Sequence, residues 1–177
     1  MRHIFIINPH AGKKDQTGRI YEMADLLRAQ HGLECQCLLT QRPGGAEEMA
    51  RRLAESGEAL RLYACGGDGT VSEVANGIAG FPNAAMTVIP AGTGNDFLKN
   101  FGPDAAKFSD PEHLWDGPEF PLDLIDCNGR LCLTIACSGI DARVAESVHE
   151  LGDSPFLSGR GSYLAAVAVN FLFRGIG

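Results

Sequence analysis

The chain has 177 residues, 45% of them hydrophobic and 21% charged, with a formal net charge of −7. That length suits one domain, or one domain and part of a second, with a composition ordinary for a globular protein. The negative charge and the lack of any Lys/Arg cluster exclude general nucleic-acid binding, and any membrane contact would rest on a local patch. No run reaches the ~20 apolar residues of a membrane span, and Arg2 and His3 precede a strand-length apolar run rather than a signal peptide. The six cysteines, Cys35, Cys37, Cys65, Cys127, Cys132 and Cys137, form no C-x-x-C. They are expected to be small buried hydrophobes in a reducing, cytoplasmic compartment.

His3 to Ile7 is the first strand, apolar enough for the centre of a parallel sheet. The loop from Asn8 to Thr17 leads to a helix with Ile20, Met23, Ala24 and Leu27 on one face, closed by Gly32. Leu33 to Thr40 alternates as a second strand. After Pro43-Gly44-Gly45, residues Ala46, Met49, Ala50 and Leu53 mark a helix ending near Gly57. Leu60 to Cys65 is a third strand, in which Leu62 and Ala64 alternate with Arg61 and Tyr63. Gly66-Gly67-Asp68-Gly69 follows, then Thr70-Val71-Ser72-Glu73 in the form of a capping box. Val71, Val74, Ala75 and Ile78 continue at helical spacing. Ala85 to Ile89 is a fourth strand, followed by the loop Pro90 to Phe97 and a short helix toward Asn100.

From Gly102 to Pro118 the chain reads as an irregular linker. Phe120 to Cys127 and Arg130 to Cys137 then read as two strands joined at Asn128-Gly129, a two-residue hairpin signal. A helix over 141–151, a polar loop and a largely apolar helix over 162–173 complete the chain. The alternation predicts a three-layer α/β fold, a parallel sheet with flanking helices, occupying 1–119. The opening of a second, β-rich domain takes 120–177.

The turn at Gly66–Thr70 carries the chemistry. Glycines between a strand and a helix start let backbone N–H groups approach an anion with no Cβ in the way. The helix N-terminus adds partial positive charge. Asp68 among them would repel a bare phosphate, so its sensible partner is a phosphate-bound Mg²⁺; a tight turn with a solvated aspartate would have the same sequence. Two further small-residue loops, Asn8-Pro9-His10-Ala11-Gly12-Lys13-Lys14 and Pro90-Ala91-Gly92-Thr93-Gly94-Asn95-Asp96-Phe97, also end strands, where open α/β sheets place ligands. Neither the Walker nor the G-x-G-x-x-G pattern is present.

These three motifs, in this order, resemble those of the diacylglycerol kinase catalytic domain family, which includes bacterial lipid kinases, sphingosine kinases and ceramide kinases. The resemblance implies the NAD kinase/diacylglycerol kinase-like fold and an ATP- and Mg²⁺-dependent transfer of the γ-phosphoryl group to a lipid hydroxyl, as in phospholipid biosynthesis. It implies nucleotide contacts at Asn8, Thr40, Gly66, Gly67, Asp68, Gly69, Thr70, Val71, Ser72, Glu73, Thr93, Gly94 and Asn95. Asp68, in a catalytic role, would join Asp96 and Asp123 in a water-and-Mg²⁺ network. A strand aspartate bonded to loop amides would serve equally for Asp123, while Asp126 is assigned to solvent. The lipid would be met at a membrane surface, by a cytoplasmic protein peripheral to the membrane.

Two departures stand out. The family usually has asparagine where this chain has Thr134, and its general base lies in an Asp-Gly-Glu segment past the position of Gly177. The chain is therefore expected to be an N-terminal portion, inactive alone, whose apolar last helix would drive self-association. A nucleotide-binding module without catalysis is the first alternative. An NAD kinase-type small-molecule kinase is the second, disfavoured because no Asn-x-Gly-x-x-Gly-Phe segment follows.

Overall fold

The computed structural model describes residues 1–137 and Ala142. Met1–Thr134 forms one compact unit and Ile135–Gly177 another. The helices expected over 141–151 and 162–173 lie, Ala142 apart, outside the described residues.

Four parallel strands make the main sheet: β1 (Arg2–Ile7), β2 (Cys35–Leu39), β3 (Leu60–Gly66) and β4 (Ala84–Pro90), in the order β2-β1-β3-β4. They alternate with helices α1 (Thr17–His31), α2 (Gly45–Ala54) and α3 (Asp68–Ile78). β1 is a continuous apolar run because both its faces are covered. Ile4 and Ile6 pack with Leu60, Leu62, Ala46, Ala50, Val71 and Val74, so α2 and α3 share one face. Phe5 and Ile7 pack with Tyr63, Ile20, Met23, Ala24 and Leu27, which places α1 on the other. Fully burying one such side chain contributes roughly 1.5–3 kcal/mol. The whole strand-propensity scale spans only about 1 kcal/mol, so burial sets the register.

α1 stops at Gly32, whose φ of 64° carries the chain out of the helix while its N–H returns to the Arg28 carbonyl at 3.0 Å, the left-handed cap expected of glycine. α2 and α3 approach closely at Gly77, where a Cβ would lie 2.6 Å from the Glu47 carbonyl oxygen and 2.7 Å from the Ala50 Cβ.

Several expectations are corrected. The second strand is shorter than Leu33 to Thr40. Thr70 does not cap α3: the helix begins at Asp68 with Gly67 as its extended N-cap, and the Glu73 carboxylate turns to α2. The short helix near Asn100 is a 3-10 segment, Asp96–Ser109, broken at Gly102, where φ is 54° and ψ −127°. A second 3-10 turn, Pro111–His113, follows.

The expected linker is also tied down. Arg61, buried on β3, donates to the carbonyl oxygens of Leu114 at 2.7 Å, Trp115 at 2.6 Å and Gly117 at 2.8 Å, and to Glu119 at 3.1 Å. Trp115 stacks on His31 with centroids 4.3 Å apart.

The hairpin forms at Asn128-Gly129, both at positive φ, but with short arms: β5 (Ile125–Cys127) and β6 (Arg130–Cys132). Residues 120–124 are not strand, because Pro121 offers no N–H to a ladder and pairing ends when Leu133 turns onto the α2–α3 core. Asp123 is thus an exposed residue in irregular chain, not an aspartate inside an apolar strand. All six cysteines are free; Cys35 and Cys65 are buried as expected, whereas Cys127 and Cys137 are exposed.

Candidate functional site

β1 is followed in sequence by β2 on one side and β3 lies on the other, so the sheet reverses its winding between β1 and β3. Ligands of open α/β sheets bind outside the carboxyl ends of strands at such a point. Ile7 pairs with Cys65, which sets the loops after β1 and β3 side by side. The Asn8 N–H continues the ladder to the Cys65 carbonyl at 2.9 Å, and the Asn8 side chain donates to Thr70 Oγ1 at 3.3 Å. Asn8 Oδ1 accepts the His10 N–H at 3.0 Å, folding the first loop back on itself.

The loop after β4 closes on the other two. Gly66 O accepts the N–H groups of Ala91 at 2.9 Å and Gly92 at 3.2 Å. A Cβ on Gly92 would lie 2.4 Å from the Gly67 Cα, and one on Gly12 would lie 2.2 Å from the Ala91 carbonyl oxygen. These contacts exclude any side chain, which is why the three stretches carry glycine where they meet. Gly66 is needed for another reason: Thr70 folds back over it, and a Cβ would sit 2.3 Å from Thr70 Oγ1.

α3 opens this junction to an anion. Its first intrahelical bond runs from the Val71 N–H to the Gly67 carbonyl at 3.1 Å. The N–H groups of Asp68, Gly69 and Thr70 stand ahead of that bond at the positive end of the helix dipole. Gly69 faces open space, with no heavy atom within 4 Å of where its Cβ would be.

The carboxylates are partly committed. Asp68 Oδ1 accepts the Asp96 N–H at 2.6 Å and so joins the two glycine loops. Its Oδ2 lies 2.6 Å from the Cβ position of Gly94, a position 4.0 Å from Asp96 Oδ1. Asp96 pairs with Lys99 and, with Asp68 behind it, pushes the ammonium pKa up. Asn95 holds this bend at a φ of 50°, its side chain donating to the Gly92 carbonyl at 3.0 Å. Among the described residues, no three His, Cys, Asp or Glu side chains gather closely enough to hold a metal. Asp123 is therefore not brought together with Asp68 and Asp96. The Asp68–Asp96 pair suits Mg²⁺, which takes one or two protein carboxylates and completes its shell with water and phosphate oxygens.

The other expected contacts divide. Thr93 and Gly94 are exposed on the β4 loop, and Ser72 is half-buried. Val71 belongs to the core. Both oxygens of Glu73 are taken by the N–H groups of Gly44 and Ala46. Thr40, buried at the end of β2, bonds through its N–H to the Ile7 carbonyl at 2.8 Å.

Three structural residues escaped the sequence reading. Arg61 interrupts an apolar strand, which was the signal available. Asn76, buried in α3, donates to the Leu131 carbonyl at 2.9 Å and accepts the Leu131 N–H at 2.9 Å, clamping the hairpin to the helix. His3 Nδ1 lies 2.9 Å from the Tyr63 hydroxyl, in the layer where Phe5 stacks on Tyr63.

Comparison with known proteins bears on the family and the fold. The diacylglycerol kinase of Staphylococcus epidermidis is 35% identical over 135 residues, covering 76% of this chain and 42% of that protein. The diacylglycerol kinase of Bacillus subtilis is 33% identical over 150 residues, covering 82% and 47%. A crystal structure of a diacylglycerol kinase from Bacillus anthracis superposes with a TM-score of 0.57 at 27% identity, covering 73% of this chain and 47% of that one. The chain spans about half the length of the curated relatives it matches. The sequence profile of the diacylglycerol kinase catalytic domain matches residues 2–127, and with it the chain belongs to that family.

Proposed function

We propose that this chain carries the nucleotide site of an ATP- and Mg²⁺-dependent lipid kinase, which transfers the γ-phosphoryl group of ATP to a lipid hydroxyl in phospholipid biosynthesis. The observation that carries the reading is the junction of three loops at the strand ends, in contact through glycines, with the start of α3 open beside them. Phosphoryl transfer asks a protein chiefly for positioning and charge neutralisation. The N–H groups of residues 68–70 would hold phosphate oxygens, with Asn8 and Thr93 bounding the space. Asp68 and Asp96 would hold Mg²⁺, which when bound neutralises the phosphates. Asp68 has a second duty, since its bond to the Asp96 N–H keeps the β4 loop against α3.

In this reading the lipid is met at a membrane surface by a cytoplasmic protein. Residues 1–119 hold the nucleotide, and 120–177 open the lipid-binding part. Among the described residues no helix is long and apolar enough to cross a membrane.

Asp68→Asn tests the site. The amide oxygen can still accept the Asp96 N–H, so folding should be nearly unchanged. Calorimetry should show Mg·ADP affinity falling roughly tenfold, with ADP alone little affected. A variant whose nucleotide binding keeps its full response to Mg²⁺ would remove Asp68 from the metal site.

A further inference from the structure

Glu73 lies just past the first turn of α3 and reaches sideways. Its Oε1 accepts the Gly44 N–H at 2.9 Å and its Oε2 accepts the Ala46 N–H at 3.0 Å. Those amides belong to the start of α2, whose N-cap is Gly44 at a φ of 79°, with no capping side chain of its own. A helix start leaves N–H groups without intrahelical partners, and a carboxylate there satisfies them and complements the dipole. Here the neighbouring helix supplies it.

The segment so held is the turn that carries Thr40. The Thr40 N–H is fixed to Ile7, the Gly45 N–H returns to the Arg42 carbonyl at 3.0 Å, and a Cβ on Gly45 would lie 3.7 Å from the Thr40 Cβ. Further along α3, Gly77 packs against the middle of α2, and Arg51 of α2 donates to the Asn76 carbonyl at 3.3 Å. The two helices are thus joined at the start of α2 and again at its middle.

We propose that Glu73 is a positioning residue that binds neither nucleotide nor metal and locks the Thr40–Ala46 turn onto the phosphate-binding helix. The strand-end threonine and the glycine turn then form one rigid frame. The role of that frame rests on the nucleotide-site reading above.

The test uses the 177-residue chain with Glu73→Ala, Glu73→Gln, Thr40→Val and the Glu73→Ala/Thr40→Val double variant. Hydrogen exchange reads the Gly44 and Ala46 amides, and calorimetry reads ADP affinity with and without Mg²⁺. Glu73→Ala should lose protection at both amides. Glu73→Gln should keep part of it, because one carbonyl oxygen remains. Affinity should fall roughly fivefold in Glu73→Ala, equally with and without Mg²⁺. The Glu73→Ala and Thr40→Val losses should be non-additive, as expected of groups acting through one another. If Glu73→Ala does not fold, Glu73→Gln carries both readouts. Unchanged protection overturns the proposal, as does a selective loss of the Mg²⁺ response, which would mean direct ligand contact. A wild-type chain that ignores ADP overturns the site reading instead, and the exchange data still decide whether Glu73 holds the turn.

Discussion

A methyl group on Gly92 has no room, since it would lie 2.4 Å from the backbone of Gly67, whereas one on Gly69 meets nothing within 4 Å. Gly92→Ala should therefore push two loops apart and cost about 1–3 kcal/mol in urea unfolding. Gly69→Ala should leave stability unchanged or slightly raised, because alanine suits a helix better by up to about 1 kcal/mol. Its methyl group would stand in the anion space, so it should weaken nucleotide binding. Equal stability losses in both variants would contradict the packing described. His3 tests the core in the same way. Burial, then the nearby Arg61 guanidinium and the N-terminus, push its pKa from 6.5 down to about 4. As pH falls, the unfolded chain takes the proton first, so stability present above pH 6.5 is lost on the way down through about pH 4. The slope contributed should reach about 1.4 kcal/mol per pH unit. His3→Gln can still offer a partner to the Tyr63 hydroxyl and should flatten that slope relative to wild type in acid-dependent urea unfolding. An identical slope would place the titration elsewhere.

At the scale of elements, the helices and strands built on one periodic apolar face could be read from sequence, because burial of that face is what selects them. α1 was legible down to its glycine cap, and the Asn128-Gly129 turn was legible from its dipeptide. What could not be read were elements decided by a distant partner. Thr70 and Glu73 have capping-box spacing, yet the carboxylate serves α2, a choice visible only once α2 and α3 lie together. Phe120 to Leu124 reads as strand in sequence, but among the described residues no partner strand reaches it. The stretch after Gly102 looked like a loose linker because the residue that fastens it, Arg61, lies more than fifty positions away. Arg61→Met keeps the apolar stem and removes the donors, stranding three carbonyl oxygens. It should cost about 2–4 kcal/mol and open residues 114–119 to limited proteolysis. Proteolysis and unfolding like those of the wild type would show that the segment is held by Trp115 packing alone.

For the whole molecule, the parallel α/β fold was legible, and so was the meeting of its loops, because glycine spacing reports close backbone approach directly. Gly66, Gly67, Gly92 and Gly94 were singled out as loop residues, and each lies where the loops meet one another or Asp68. Asp123 was out of reach of such reasoning, since its placement depends on a strand that starts only after it, at Ile125. The family of this chain is shared with diacylglycerol kinases that it matches over about half their length. The central claim is that the junction of the three loops binds Mg-nucleotide. Titrating Mg·ADP into isotopically labelled, folded chain, with calorimetry alongside, addresses it directly. The account predicts saturable heat and amide shifts at Asn8, residues 66–70 and residues 93–96. No heat and no shifts, or shifts confined to the α1 face, would contradict it.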